Sequence, residues 1–276
     1  MQRIGLEQER RKRKERRGTP VSDMSAGLAE ALERDEIEVL FQPQFAASDS
    51  ALLGAEALAR WRHPEQALIG GAQLFEAAER AGLVTHLSRH VARVAMSEAA
   101  GWHESLRLSL NVTAADLADP AFADAIATAI AETALAPERL TLEITEQVLV
   151  ADLDRSAELL RDQADRGIRI ALDDFGAGFC HFGYLKRLPL HYLKLDRSMV
   201  EGIDDNVRDL AVLRGILSMA QALGLAVIAE GIERESQREA IAREGCAAWQ
   251  GFLGAKPMSA AEFGQLRCLQ VPNSDQ

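Results

Sequence analysis

Cysteine and aromatic residues are scarce in this sequence of 276 residues, which has three Cys and only 5% Phe, Trp and Tyr. Cys180, Cys246 and Cys268 are odd in number, lie far apart and form no CxxC pair. This pattern argues against a disulfide framework and a cysteine zinc site, and it favours a reduced compartment with free thiols. With so few aromatic side chains, the core must consist mainly of Leu, Ile, Val and Ala.

Long apolar runs are also missing from the sequence. No stretch approaches the roughly 20 apolar residues that span a bilayer. The charged first 20 residues lack the apolar segment of a signal peptide. We therefore expect a cytoplasmic protein, although a longer parent protein could be tethered to a membrane.

Negative charge predominates, but it is unevenly distributed. The net charge is −11, and residues 1–17 carry a local +5 from eight Lys or Arg and three Glu, which leaves −16 on the rest. A phosphate backbone favours basic surface, so this acidic body is a poor partner for duplex nucleic acid. We interpret residues 1–20 as a basic linker or tail, residues 21–270 as one domain, and residues 271–276 as a C-terminal tail.

Short apolar segments alternate with helical patterns along the domain. The predicted strands are Glu38–Phe45, Leu52–Trp61, Leu106–Val112, Arg139–Thr145, Ile168–Asp173, His191–Leu195, Leu225–Ala229 and Cys246–Trp249. The predicted helices between them are Gly71–Ala81, Leu83–Trp102, Phe122–Thr133, Leu153–Arg166, Val207–Leu223 and Glu235–Arg243.

This alternation predicts a largely parallel sheet covered by helices, and eight strands fit a closed barrel better than an open sheet. Only Ala46–Ala51 separates the first two strands. A parallel crossover needs about a dozen residues, so this pair should be antiparallel. The predicted fold class is α/β, a modified TIM (β/α)8 barrel with an antiparallel first strand.

Polar side chains share one face of five predicted strands, opposite the aliphatic residues. Because side chains alternate across a strand, five of them should point into the barrel near the carboxyl ends: Asn111, Glu143, Asp173, Lys194 and Glu230. Catalytic groups lie at that end of such barrels. Buried charges need partners, and oxygen ligands suit Mg²⁺, Mn²⁺ or Ca²⁺ better than zinc. One acid at a strand end is more often a helix cap or an ion-pair partner, but the agreement of five strands indicates a metal site.

Eight motifs follow one another along the chain. They are FQPQ (41–44), GAEALARWRHP (54–64), LNVTAADL (110–117), LEITE (142–146), ALDDFGAG (171–178), YLKLDRS (192–198), AEGIE (229–233) and WQGFLGAKP (249–257). On these motifs the sequence resembles the EAL-domain family, named for the tripeptide that stands here at residues 56–58. The resemblance implies a phosphodiesterase that hydrolyses cyclic di-GMP (c-di-GMP) to linear pGpG in bacterial second-messenger signalling, on a modified TIM barrel.

The resemblance also implies which residues bind metal. Six match the family's ligands: Glu56, Asn111, Glu143, Asp173, Asp174 and Glu230. Two Mg²⁺ or Mn²⁺ ions in this site would clamp the phosphodiester and activate a water, whereas Ca²⁺ would bind and inhibit.

Lys194 matches the family's catalytic lysine, which would hold or deprotonate this water beside Glu56, Asp173 and Asp174. Its pKa should fall near two dications. The alternative for Lys194 is a structural ion pair with Asp196.

Other positions match substrate-contacting or supporting residues of the family. The substrate-binding candidates are Gln42, Leu58, Arg60, Asp196 and Gln250. Arg60 would grip a phosphate through two hydrogen bonds; its alternative is a surface ion pair. Glu146 would steady the loop after Asp174, and Glu233 would support the AEG turn.

The loop 174–184 departs from the family pattern DDFGTGYSSLxYL. Hydroxyl groups are lost at Ala177 and Phe179, and Cys180 and His181 replace two serines, whereas Gly176 and Gly178 are kept. Fewer local hydrogen bonds would loosen this loop. A catalytically weak or inactive c-di-GMP receptor or protein-interaction module is therefore the alternative to an active enzyme.

Two further readings concern reaction class and assembly. Fold logic alone also allows a metal-dependent proton abstraction with Lys194 as base, but the order of the motifs argues against it. A homodimer is the default assembly. An upstream sensor or GGDEF-type domain could belong to a longer parent protein.

Overall fold

The computed structural model describes residues 21–64, 68–149, 152–178 and 182–270. The predicted tails, 1–20 and 271–276, lie outside the described residues, and so do Phe179, Cys180 and His181 of the altered loop. Eight strands form a closed barrel in the order β1 to β8. They are β1 Ile37–Ala46, β2 Leu52–Trp61, β3 Arg107–Asn111, β4 Leu140–Thr145, β5 Arg169–Phe175, β6 Tyr192–Leu195, β7 Ala226–Ala229 and β8 Ala248–Trp249.

The strand directions confirm the modified barrel. β1 runs antiparallel to both of its neighbours, β2 and β8. All other neighbouring strands are parallel. The short link between β1 and β2 is the physical reason, because it can close a hairpin but cannot cross back over the sheet.

Twelve α-helices lie among the described residues. They are α1 Val21–Glu33, α2 Gly71–Ala81, α3 Val84–Ala100, α4 Ala114–Ala118, α5 Phe122–Thr133, α6 Glu146–Leu149, α7 Leu153–Asp165, α8 Phe182–Arg187, α9 Arg197–Val200, α10 Val207–Ala222, α11 Glu235–Glu244 and α12 Ala260–Gln270. The boundaries of the predicted helices are confirmed within two residues. Four short helices, α4, α6, α8 and α9, are not predicted from the sequence, because one or two turns are too short to show a 3.6-residue period. Helix α12 is not predicted either.

The apolar core lies between the outer face of the barrel and the helices. Alternate strand residues such as Leu108, Leu142 and Leu193 are fully buried there. An aromatic cluster of Phe41, Trp102 and Phe263 adds to this core, with ring centroids 4.6 to 6.0 Å apart. The opposite strand faces are therefore free to carry polar groups into the barrel. Among the described helices, none is long and apolar enough to cross a membrane.

Candidate active site

Lys194 lies at the centre of a cluster of carboxylates inside the barrel. Its side chain is completely buried, and its Nζ contacts four carboxylate oxygens. The distances are 2.5 Å to Glu143 Oε2, 2.8 Å to Glu230 Oε1, 3.1 Å to Asp173 Oδ2 and 3.5 Å to Glu56 Oε2. Strand parity predicts the convergence of Glu143, Asp173, Lys194 and Glu230. Glu56 was expected here from the family resemblance. The described ion pairs of Lys194 do not include Asp196.

Amide side chains tie the cluster to the surrounding strands. Asn111 Nδ2 donates to Glu56 Oε1 at 2.7 Å. Gln250 Nε2 donates to Glu56 Oε2 at 2.9 Å and to Glu230 Oε1 at 2.8 Å. Gln44 Nε2 in turn donates to Gln250 Oε1 at 3.1 Å, which fixes the orientation of that amide. Gln250 therefore holds two of the carboxylates from the β8 side.

Gln44 was not identified from the sequence, although it is buried beneath the cluster. Two features of the sequence could have identified Gln44. It stands two residues after Gln42 in β1, so both amides face the barrel interior, and it belongs to the motif FQPQ that carried the resemblance.

Asp173 and Asp174 would point to opposite faces in a regular strand. The register between β5 and β6 shifts between Leu172 and Phe175, so β5 contains one extra residue. Asp174 adopts a left-handed φ of 56° and its backbone N–H donates to Asp173 Oδ1 at 2.9 Å. This bulge turns both carboxylates to the same mouth of the barrel. Short polar residues such as Asp tolerate the left-handed region best after Gly.

Two groups of carboxylate oxygens are spaced closely enough to hold a metal ion. Glu56, Glu143 and Asp173 form one group, and Asp173, Asp174 and Glu230 form the other, with ligand atoms within 4.8 Å of one another in each. Asp173 belongs to both groups. Glu143 Oε1 is buried, and within the described part of the chain it has no hydrogen-bond partner; a bound cation would satisfy such an oxygen. The oxygen-only ligand set fits a hard divalent ion.

The charges of the cluster perturb one another strongly. Burial raises the pKa of Glu143 well above its usual value, and Glu56 and Asp173 add to this by repulsion. Burial likewise raises the pKa of Glu230 to about 8. The pKa of Glu56 is lowered, since Lys194, Gln250 and Asn111 together outweigh the effect of its burial.

Burial disfavours the charge on Lys194, but the carboxylates outweigh it and raise the lysine pKa well above its usual value. This direction is opposite to the decrease expected beside two dications. The physical reason is that the four surrounding acids stabilise the ammonium form. Asp174 is partly exposed, and burial followed by repulsion from Asp173 raises its pKa.

A cavity of about 780 Å³ reaches the rim of the site, although none of the four carboxylates around Lys194 lines it. Leu58, Arg60, Asn111 and Asp174 all line it, so three of the candidate ligand or phosphate-binding groups share one space. The Arg60 guanidinium donates to the carbonyl of Ala59 at 2.8 Å. Burial lowers the pKa of Arg60, and attraction to Glu56 partly offsets this. Arg60 is half-buried beside this cavity, and among the residues that the structure describes it forms no ion pair.

The remaining sequence candidates lie around this mouth in different roles. Gln42 is buried, pairs with Glu56 across β1 and β2, and donates to the carbonyl of Ala255 at 2.6 Å. Asp196 caps α9, accepting from Ser198 N at 2.9 Å. These contacts describe local support; they assign no ligand to either residue.

Glu146 and Glu233 are farther from the centre of the cluster. Glu146 is the first residue of α6, directly after β4. Glu233 is exposed and forms an ion pair with Arg197 at 2.8 Å. This pair links the segment after β7 to α9, which is compatible with the expected support of the AEG turn.

Known proteins are similar to this chain in both sequence and fold. The family model described as EAL domain matches residues 25–257. The bifunctional diguanylate cyclase/cyclic di-GMP phosphodiesterase MucR of Pseudomonas aeruginosa is 34% identical over 240 residues, which cover 86% of this chain and 35% of MucR. The cyclic di-GMP phosphodiesterase NbdA of the same organism is 35% identical over 249 residues, which cover 89% and 32%.

The chain thus spans about a third of the length of these two relatives. A solved structure described as the PaMucR phosphodiesterase in complex with c-di-GMP has a TM-score of 0.81 and 34% identity to it. That match covers 86% of this chain and 98% of the solved one. The family match, the closed barrel with one reversed strand and the acidic cluster at its mouth agree, and the chain belongs to the EAL domain family.

Proposed function

We propose that this protein is a metal-dependent phosphodiesterase that hydrolyses c-di-GMP to linear pGpG. The observation that carries the proposal is the convergence of four carboxylates on one buried lysine. One oxygen of Glu143 has no hydrogen-bond partner among the residues that the structure describes. MucR and NbdA are both named as cyclic di-GMP phosphodiesterases, which supports c-di-GMP as the substrate, and so does the solved complex.

Two divalent ions, Mg²⁺ or Mn²⁺, are proposed as cofactors. The residues that would hold them are Glu56, Asn111, Glu143, Asp173, Asp174 and Glu230. Asn111 would turn its amide oxygen toward the ion, giving up its present donation to Glu56. When bound, such ions supply Lewis acidity that polarises the scissile phosphate and lowers the pKa of the attacking water. Ca²⁺ is proposed to compete for the same oxygens and to inhibit.

Lys194 is proposed to hold the attacking water as a hydrogen-bond donor. In the metal-free site the surrounding carboxylates raise its pKa, and as an ammonium group the side chain would offer three donors and no acceptor. In the hydrolysis the water oxygen bonds to phosphorus and the bond from phosphorus to the ribose O3′ breaks. The proton of the water ends on that O3′, which gives a linear product with a free 5′-phosphate.

Arg60 and Leu58 are proposed to position the substrate from the β2 side of the cavity. Arg60 would bind the phosphate that is not cleaved, and Leu58 would contact the ribose or base. Gln42, Asp196 and Gln250 are proposed as further contacts around the mouth. Gln250 already bonds two of the carboxylates, so its amide would stand next to the ions as well as the substrate.

The setting of the domain is also proposed. Because MucR and NbdA are about three times as long as the matched region, an upstream sensor or GGDEF-type domain would regulate this one in a longer parent. A homodimer in the cytoplasm is the proposed working state. Duplex nucleic acid is not a proposed partner, because the chain is acidic overall.

Turnover of purified protein tests the proposal directly. The protein is incubated with c-di-GMP and Mg²⁺, and linear pGpG is followed by chromatography. Glu56→Gln should remove turnover while leaving the barrel folded, and Glu239→Gln on the exposed side of α11 is the matched control. Well-folded protein without turnover in Mg²⁺ or Mn²⁺ would contradict the proposal.

A non-catalytic c-di-GMP receptor is the second candidate. It is favoured by Ala177, which places no hydroxyl in the turn directly after Asp174. Calorimetric binding of c-di-GMP with no pGpG over hours would select this candidate. Binding followed by steady turnover would reject it.

A further inference from the structure

Met199 lies directly against the turn that follows β5. Gly176, in that turn, has a φ of 102°, and a Cβ placed on it would stand 2.6 Å from Met199 Sδ and would also overlap Met199 Cγ. The thioether side chain of Met199 therefore packs directly against the α-carbon of Gly176, which carries no Cβ. Met suits this contact because its unbranched, polarizable side chain fills irregular gaps.

The turn under Met199 determines where Asp174 points. Asp174 has a left-handed φ of 56°, and its carbonyl accepts from Ala177 N at 3.1 Å. A non-glycine residue in this region stays there only when its surroundings hold it. Gly176 lies between the two residues that this hydrogen bond joins. A shift of the Gly176 backbone would therefore change the backbone conformation of Asp174.

Met199 is itself anchored to the strand that carries Lys194. Asp196 follows β6, and its side chain caps α9 by accepting from Ser198 N at 2.9 Å and from Ser198 Oγ at 2.5 Å. Met199 N donates to the carbonyl of Asp196 at 2.9 Å. Asp196 N donates across to the carbonyl of Phe175 at 3.2 Å. These hydrogen bonds hold the start of α9 at the end of β6. Met199, on α9, is thereby kept in contact with the turn after β5.

We propose that Met199 is a positioning residue: it holds the 174–177 turn so that the Asp174 carboxylate joins Asp173 and Glu230 around the second ion. This inference rests on the two-ion function proposed above. It assigns a role to a residue outside the ligand set, since Met199 acts only through Gly176.

Metal binding and hydrogen exchange test the role without relying on turnover. Mn²⁺ binding to the full chain is measured by calorimetry in wild type, Met199→Ala and Met199→Leu. The wild type should bind two ions; Met199→Ala should weaken the second by about tenfold, a typical effect of losing a residue that orients a ligand, and leave the first unchanged. Met199→Leu should restore most of the affinity because it refills the volume. Met219→Ala, a half-buried methionine on α10, is the matched control.

Hydrogen exchange of the segment 174–178 gives the second readout. Met199→Ala should speed exchange there, including the Ala177 amide, whereas Met199→Leu and Met219→Ala should not. Should Met199→Ala fail to fold, Met199→Val provides the milder truncation with the same expected pattern. Unchanged affinity for the second ion in a folded truncation, with or without faster exchange, would overturn the inference. A wild type that binds no Mn²⁺ would instead overturn the proposed function, and this role with it.

Discussion

Replacement of Lys194 by methionine separates the structural from the catalytic role of the buried cation. The side chain is completely buried, and Glu56, Glu143, Asp173 and Glu230 all lie within 3.5 Å of its Nζ. Met is similar in length but carries no charge. Lys194→Met therefore leaves the acids facing one another without a cation between them.

The expected loss of stability in metal-free protein is about 3 to 5 kcal/mol, the usual cost of removing one partner from a buried ion pair. That corresponds to a fall in Tm on the order of 10 °C for a domain of this size. The loss should grow as pH rises. Without the ammonium group the carboxylate pKa values in the folded state move further up, and a raised carboxylate pKa means stability that is lost as pH increases through it.

Divalent ions should offset much of this loss of stability but not the loss of turnover. Mn²⁺ at about 100 times its Kd should return about 2.7 kcal/mol, because the site has gained negative charge. Turnover of c-di-GMP should remain at least about 100-fold below wild type, since the water has lost its donor. Thermal unfolding with and without Mn²⁺, beside a pGpG assay, measures both effects.

The exposed Lys186→Met is the control and should change Tm little. The reasoning would be refuted by metal-free Lys194→Met protein as stable as wild type at alkaline pH. Mn²⁺ that failed to raise its Tm would refute it equally.

Further predictions follow from the contacts of the site. Glu143→Gln should weaken Mn²⁺ binding by at least about 100-fold, which is more than the loss of a residue that only orients a ligand. Calorimetry measures this, and wild-type affinity in the variant would show that Glu143 is not a ligand. Affinity for Mn²⁺ should rise as pH increases toward 8, because Glu230, whose pKa is raised to about 8, must lose its proton to bind. As pH rises from 4.5 to about 8, the raised pKa of Glu230 should lower the free energy of unfolding of the metal-free protein, and thermal melting at several pH values measures this. Gln44→Leu should cost about 1 to 3 kcal/mol of unfolding free energy by leaving Gln250 Oε1 buried and unbonded; chemical denaturation measures it, and an unchanged midpoint would contradict it. Arg60→Lys should raise KM for c-di-GMP with kcat nearly unchanged, because lysine cannot form the two-pronged phosphate contact.

Strand parity made the inward residues of the site readable from the sequence. Side chains alternate along a strand, so neighbours of core residues point to the opposite face. Once Leu142, Leu172 and Leu193 are assigned to the core, Glu143, Asp173 and Lys194 must therefore point into the barrel. The antiparallel first strand was equally readable, because chain length alone rules out a crossover between β1 and β2. Both predictions depend on local geometry, the alternation of side chains along a strand and the length of a connection.

Other features depend on contacts between segments distant in sequence. Parity sends Asp174 away from Asp173, and only the bulge in β5 together with the left-handed φ brings the two carboxylates to one mouth. Gln44 gains its role from Gln250, which is 206 residues away. The raised pKa of Lys194 likewise arises from acids on three other strands and on the residue that follows β7. No local pattern could have predicted these couplings.

Anomalous diffraction at the manganese edge, from crystals grown with Mn²⁺ and c-di-GMP, tests the central claim most directly. The account predicts two peaks that share Asp173, one beside Glu56 and Glu143 and the other beside Asp174 and Glu230. An ordered ligand with no peak among these carboxylates would contradict it.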